Sequence, residues 1–217
     1  MPQKDKNDLT KERLLDEAEA LFAKKGYHAV SVREITAAAD CNLAAINYHF
    51  GNKQNLYLEV FRSRWVPRAR RVQESFRKSL AANDSLSPTE VVRALAHAFL
   101  EGPLSDEERL RHSQLMTREI TQPTGAFEVV ADQVIQPFFK ELADKLRPFM
   151  PRELSAEQLL LRIISVFALV LHFNFARVAV TRITGRQYDP AFKAQLVEHI
   201  VEMSLEGIGG KKKEERR

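Results

Sequence analysis

Residues 31–53 read SVREITAAADCNLAAINYHFGNK, and this stretch decides the fold because it spells two short helices and a tight turn. Ser31 and Glu34 have capping-box spacing, in which the hydroxyl accepts the free N–H at the third helical position and the carboxylate reaches back to the cap. Val30 and Ile35 are placed as a hydrophobic staple around that cap, so a first helix is expected from Val32 to about Ala39. Asp40 follows, and Asp tolerates a left-handed turn conformation better than most residues. Asn42 is a second N-cap, again with a staple, Cys41 and Ile46, and a second helix is expected over roughly Leu43 to Phe50. Two helices joined by such a turn are the arrangement in which the second helix enters the DNA major groove.

The residue types along that second helix fit the task. Ala44 and Ala45 keep its leading end slim enough to approach a groove about 12 Å wide. Ile46 and Phe50 lie one turn apart and are expected to face the core, leaving Leu43, Asn47, Tyr48 and His49 toward DNA. An Asn can pair bidentately with an adenine edge and a Leu can touch a thymine methyl, which suits Asn47 and Leu43 to base contacts. Tyr48 and His49 are better suited to phosphates, as is Lys53 at the start of the next helix.

Taken from Leu14 to Leu56, with LFAKKGYHAVSVREITAAADCNLAAINYHFGNKQNLY at its heart, the sequence resembles the TetR/AcrR family of transcriptional repressors, and NLAAINYHFG resembles the CecR-like branch of it. The resemblance covers the first quarter of the chain. It implies an all-α protein: a three-helix helix-turn-helix head over residues 1–53, then a larger helical effector-binding and dimerisation domain over 54–210. It also implies a homodimer that releases a double-stranded DNA operator when a small molecule binds. By the same resemblance Ser31, Arg33, Asn42, Leu43, Ala44, Ala45, Asn47, Tyr48, His49 and Lys53 face DNA. One departure is Asp40, where the family usually has Gly in the turn.

Charge is distributed unevenly. Residues 1–53 carry eight Lys/Arg and eight Asp/Glu, a net of zero, so any DNA affinity of the head comes from placed contacts rather than bulk attraction. Residues 54–82 carry seven positive and two negative charges, net +5, with Arg62, Arg64, Arg68, Arg70 and Arg71 clustered just past the motif. These read either as a solvated helix face or as a patch assisting approach to DNA. The tail KKKEERR, residues 211–217, is expected to be a disordered charged terminus beyond Gly209 and Gly210.

Helical periodicity dominates elsewhere. The first helix is expected over Thr10 to Lys25 with Gly26 as its stop, and the fourth begins after Asn52 and is expected to bend or break before Pro67. Ser87-Pro88-Thr89-Glu90, Ser105 with Glu108, and Ser155 with Gln158 mark three capped starts. Residues 126–149 read as one helix kinked by Pro137, and the last helix runs from about Pro190 to Glu206. The segment 163–180, IISVFALVLHFNFARVAV, is apolar enough to raise a membrane span. Arg177 within it argues against one, since Arg at mid-bilayer costs roughly 2.5–3.5 kcal/mol, and a helix covered on both sides is the better reading. At helical spacing Ser165 and His172 share one face while Asn174 and Arg177 share a nearly opposite one. The resemblance implies that the last two helices of the body pack against their copies in a dimer, so His172 is the candidate for the pocket side and Asn174 and Arg177 for the partner side or the bundle rim.

Catalysis finds little support. The six histidines include no HExxH pair, the single Cys41 lacks a second cysteine for a zinc site, and no phosphate loop or dinucleotide glycine pattern exists, so no enzyme activity, cofactor or metal is expected. The N-terminus is polar and lacks the apolar core of a secretion signal, and a cytoplasmic protein is expected. Effector-pocket candidates are Phe99, His112, Met116, Phe127, Phe138, Phe167 and His172, which combine large apolar area with a few polar atoms. The thirteen Phe residues also fit a second reading, a helical adaptor for another protein with no effector pocket.

Overall fold

The computed structural model of the chain describes residues 3–82 and 85–208, which are helical with no strand among the described residues. Twelve α-helices follow in order: α1 Gln3–Lys25, α2 Val32–Ala38, α3 Leu43–Phe50, α4 Lys53–Val60, α5 Val66–Ala81, α6 Pro88–Leu100, α7 Asp106–Thr121, α8 Gly125–Val130, α9 Gln136–Leu146, α10 Ala156–Phe175, α11 Arg177–Thr184 and α12 Pro190–Ile208. The charged tail lies outside the described residues. Contacts divide the chain into two compact units, one of residues up to 70 with 104–135, the other of 71–103 with 136 onward. The boundary expected between residues 53 and 54 falls inside the first of them.

The local signals form as the side chains dictate. Ser87, Ser105 and Ser155 accept from the backbone N–H groups of Glu90, Glu108 and Gln158, and at the last two the reciprocal bond closes a capping box. The α1 helix starts at Gln3 rather than Thr10, because nothing between them is a Gly or Pro that would stop it. The bend expected before Pro67 and the kink expected at Pro137 take a common form. In each case a five-residue π-helical turn, Phe61–Trp65 or Ala131–Ile135, ends two residues ahead of the proline. A proline inside a helix lacks an N–H and clashes with the carbonyl four residues back. Widening that turn accommodates both defects, so the helix continues instead of breaking.

The first unit has one apolar core. Leu14, Phe22, Val30, Ile35, Ile46, Leu56, Val60, Phe61 and Leu115 are all essentially inaccessible, so α1–α4 and α7 share it. Two polar ties hold its periphery. Glu19 of α1, 1% exposed, pairs with Arg68 of α5 and lies 3.5 Å from Arg111 of α7. Glu119, also 1% exposed, accepts from the Tyr57 hydroxyl at 2.6 Å and from the Thr124 backbone N–H at 2.9 Å. Burial and the adjacent carboxylate push the Tyr57 phenol far above its ordinary value, so it stays protonated and donates. Beside it, Arg118 donates from Nε to the carbonyl of Ala23 at 3.1 Å and from Nη2 to that of Lys24 at 2.7 Å, satisfying the open C-terminal carbonyls of α1. Gly26 turns the chain there at φ +85°, and a Cβ on it would meet the Arg118 guanidinium at 2.9 Å.

In the second unit α6 packs on α12 and α10, and Phe76, Phe138, Phe167, Phe99 and Phe139 form an aromatic cluster with ring centroids 5.1–6.4 Å apart. Replacing Glu119 with Ala strands the Tyr57 hydroxyl in the core and is expected to cost about 2–3 kcal/mol. In urea denaturation, adding Tyr57→Phe to that variant should cost clearly less than Tyr57→Phe alone, because the two groups serve one bond.

Candidate nucleic-acid interface

The turn between α2 and α3 is made by Asp40, whose φ of +48° makes it the one non-glycine residue in the left-handed region among the described residues. Ser31 caps α2 by accepting from Glu34 N–H at 3.1 Å, and Asn42 caps α3 by accepting from Ala45 N–H at 3.1 Å. The capping box expected at Ser31 is half made: the Glu34 carboxylate instead pairs with Lys25, and that bond holds its pKa below the ordinary value. Ile46 and Phe50 are buried, and α3 is thereby rotated to present the opposite face.

That face carries the residues expected to read DNA. Ser31, Arg33, Asn42, Leu43, Ala44, Asn47 and Tyr48 are exposed, while Ala45, His49 and Lys53 are half-buried. Tyr48 is 74% exposed, with its ring set edge-on to His49 at 5.0 Å. Desolvation, then the charge of Lys11, pushes the His49 imidazole below its ordinary value. The Lys53 ammonium lies 4.4 Å from the centroid of the Tyr27 ring, which steers it at the start of α4, and burial lowers its pKa. Because Asn42 spends its side-chain oxygen on the cap, only its amide N–H groups remain for DNA.

Two of the five arginines past the motif are held in ion pairs within the first unit. Arg64 donates to Asp16 at 2.9 Å and to Glu12 at 2.5 Å, and Arg68 holds Glu19 and approaches Glu108 at 3.5 Å. Within the first unit, Arg62 and Arg70 stay exposed. Of the two readings open for these arginines, a solvated face or a patch assisting approach to DNA, neither describes Arg64 and Arg68, which are counter-ions to carboxylates of α1.

Six of the seven effector candidates separate into two groups. Phe99, Phe138 and Phe167 come together in the aromatic cluster of the second unit. His112, Met116 and Phe127 belong to the first, where His112 stacks on Trp65 at 4.2 Å and its carbonyl accepts from the Trp65 indole at 3.0 Å. Met116 lies in the core of that unit, and Phe127 packs against it. None of the seven lines the cavity of about 350 Å³ in the first unit, which opens beside Lys25, Tyr27, His28, Arg118, Glu119 and Gln122. Sequence reading missed Arg118 and Glu119, since their partners lie 62 to 95 residues away.

Asn174 on α10 and Arg177 at the start of α11 do not form an exposed face of the chain. Asn174 is buried, and Arg177 donates from Nη2 to the Leu100 carbonyl at 3.1 Å with its guanidinium 4.8 Å over the Tyr188 ring, so both serve their own unit. His172 lies instead on an exposed stripe with Leu161, Ile164, Ser165 and Ala168, at 56% exposure for Leu161 and 49% for Ile164. The helix expected to be covered on both sides is covered on one. It is long and apolar enough to cross a membrane by composition alone.

Capped helices around a tight turn, with the second helix exposing Leu43, Asn47 and Tyr48, define a DNA-binding helix-turn-helix protein of the transcriptional-regulator class. Residues 14–60 match the bacterial regulatory proteins of the tetR family, and residues 88–208 match the C-terminal domain of the HTH-type transcriptional dual regulator CecR. The chain belongs to the TetR family of transcriptional regulators, in its CecR-like branch. It is 26% identical to the dual regulator CecR of Shigella flexneri over 211 residues, covering 94% of this chain and 92% of that protein. Among solved structures, a transcriptional regulator from Rhodococcus sp. Rha1 matches with a TM-score of 0.60 at 17% identity, covering 91% of this chain and 96% of its own. A Saccharomonospora viridis regulator in complex with choline matches with a TM-score of 0.57 at 19% identity, covering 90% and 95%.

Left-handed backbone costs a β-branched residue about 1–2 kcal/mol, so Asp40→Val should lower stability by that amount while Asp40→Gly leaves it unchanged or raised. Urea denaturation of both variants tests the turn, and equal stabilities would contradict it.

Proposed function

We propose that the protein is a ligand-responsive repressor that binds a palindromic operator as a homodimer and acts in the cytoplasm. The observation that carries this reading is the rigidly capped α3 with its exposed stripe of Leu43, Ala44, Asn47 and Tyr48. Asn47 reads an adenine edge and Leu43 a thymine methyl, and Ala44 and Ala45 permit close approach. Ser31, Arg33, Asn42, Tyr48, His49 and Lys53 hold the phosphate backbone. A two-fold dimer presents two such helices, so its operator is an inverted repeat with half-sites a helical turn, or a multiple of it, apart.

In this reading the dimer contact is the exposed stripe of α10, and what supports it is the exposure of Leu161, Ile164, Ala168 and His172 together with Met203 of α12, 53% exposed. This takes the place of Asn174 and Arg177, whose polar atoms are engaged within the chain. An apolar stripe on a helix calls for a covering surface, and a second copy supplies one. The effector is apolar or amphipathic, with Phe99, Phe138 and Phe167 the residues retained for its site, because aromatic surface with few polar groups suits such ligands.

Ile164→Asp should shift the protein from dimer to monomer in light scattering at micromolar concentration and weaken operator binding more than tenfold, since a buried unpaired charge is placed on the seam. A variant that remains dimeric would move the interface elsewhere. Asn47→Ala should cost roughly 1–3 kcal/mol at the cognate site and relax preference at one base pair, whereas His49→Ala should weaken all sequences alike; titrations against single-substitution operators separate the two.

A further inference from the structure

Asn7, Asp8 and Leu9, in the second turn of α1, are exposed. Among the described side chains before Leu14 none that is apolar is buried, and Leu9 is 57% exposed. From Gln3 to Leu9 the helix adds about 10 Å of length. What that length does is bring polar groups to the outer end of α3. Asn7 donates from Nδ2 to the Tyr48 hydroxyl at 3.4 Å. Lys11 lies one turn further on the same face of α1, and its charge acts on His49. Among the described residues no carboxylate pairs with the Lys11 ammonium.

We propose that Asn7 and Lys11 extend the DNA interface, Lys11 as a direct phosphate contact beside His49, and Asn7 as a positioning residue that fixes the Tyr48 phenol for its own phosphate contact. This rests on the reading of α3 as the operator-binding helix. Because Asn7 donates to the Tyr48 oxygen, the phenolic proton stays free to be donated outward. The ring is 74% exposed and set edge-on to His49, and a further tether from Asn7 reduces the rotation it loses on binding. Lys11 supplies charge at the rim of a head whose net charge is zero, where one placed cation changes the field appreciably. Asp8 acts on His49 from the same region and opposes phosphate approach.

The test uses the full-length protein with two fluorescent duplexes, an operator selected from random sequence and an unrelated duplex of equal length, over 50–300 mM salt. Lys11→Gln should reduce the slope of log affinity against log salt by about 0.9 on both duplexes, and Lys11→Arg should restore it. Asp8→Asn should tighten both. Asn7→Ala should weaken binding about threefold in the wild-type background and not at all in a Tyr48→Phe background, because the tether acts only through the phenol. Thermal melting of each variant should match wild type, as the altered side chains are exposed or partly so. An unchanged slope for Lys11→Gln, or an equal loss from Asn7→Ala in both backgrounds, would overturn the proposal while leaving the operator reading intact. Failure of the wild-type protein to bind either duplex would instead overturn the operator reading itself.

Discussion

The Tyr57–Glu119 hydrogen bond is the constraint on which the DNA-reading unit depends. A helix of eight residues such as α3 has too few internal bonds to persist alone, and it buries only Ile46 and Phe50. Its orientation is therefore borrowed from α1 and α4, on which it packs. Those two helices are in turn tied to the last turn of α7, α4 through the Tyr57 hydroxyl on Glu119 and α1 through the Arg118 guanidinium on the carbonyls of Ala23 and Lys24. Adjacent residues of one helical turn thus set the platform for recognition. Both bonds are in or at the edge of a core, where an unmatched partner is costly, so the arrangement is held to one geometry.

Electrostatics in the head follow the same economy. Two of the arginines clustered past the motif are engaged by carboxylates of α1, Arg64 by Glu12 and Asp16 and Arg68 by Glu19. Buried Glu19 requires such a counter-ion, since a carboxylate with neither solvent nor partner is expelled from a core. What remains for DNA is a small number of placed groups on and around α3. That suits sequence-selective binding with weak general affinity better than it suits coating of the duplex.

The helix-turn-helix was legible because its determinants are local. Caps at Ser31 and Asn42, staples and the left-handed Asp40 each act within five residues of chain, and the structure places them as their chemistry requires. The prolines were legible as sites of disturbance but not as π-helical turns, since whether a helix breaks or widens depends on the packing on either side of it. The partner of Tyr57 lies 62 residues away and left no local mark. On α10 the period revealed two faces but not which one turns inward. The polarity of Asn174 and Arg177 suggested a rim, yet Asn174 is buried, the Leu100 carbonyl and the Tyr188 ring receive Arg177 within the chain, and the apolar Leu161 and Ile164 are exposed. Polarity marks an exposed side only when no buried partner exists, and that partner is a tertiary fact.

The central claim is that two copies of α3 read a symmetric DNA site. Selection of bound duplexes from a random-sequence library by the full-length protein tests it most directly. The account predicts recovery of one inverted repeat, its half-sites a helical turn or a multiple of it apart and each containing an adenine whose replacement abolishes selection. Recovery of no enriched motif, or of a single asymmetric site, would contradict it.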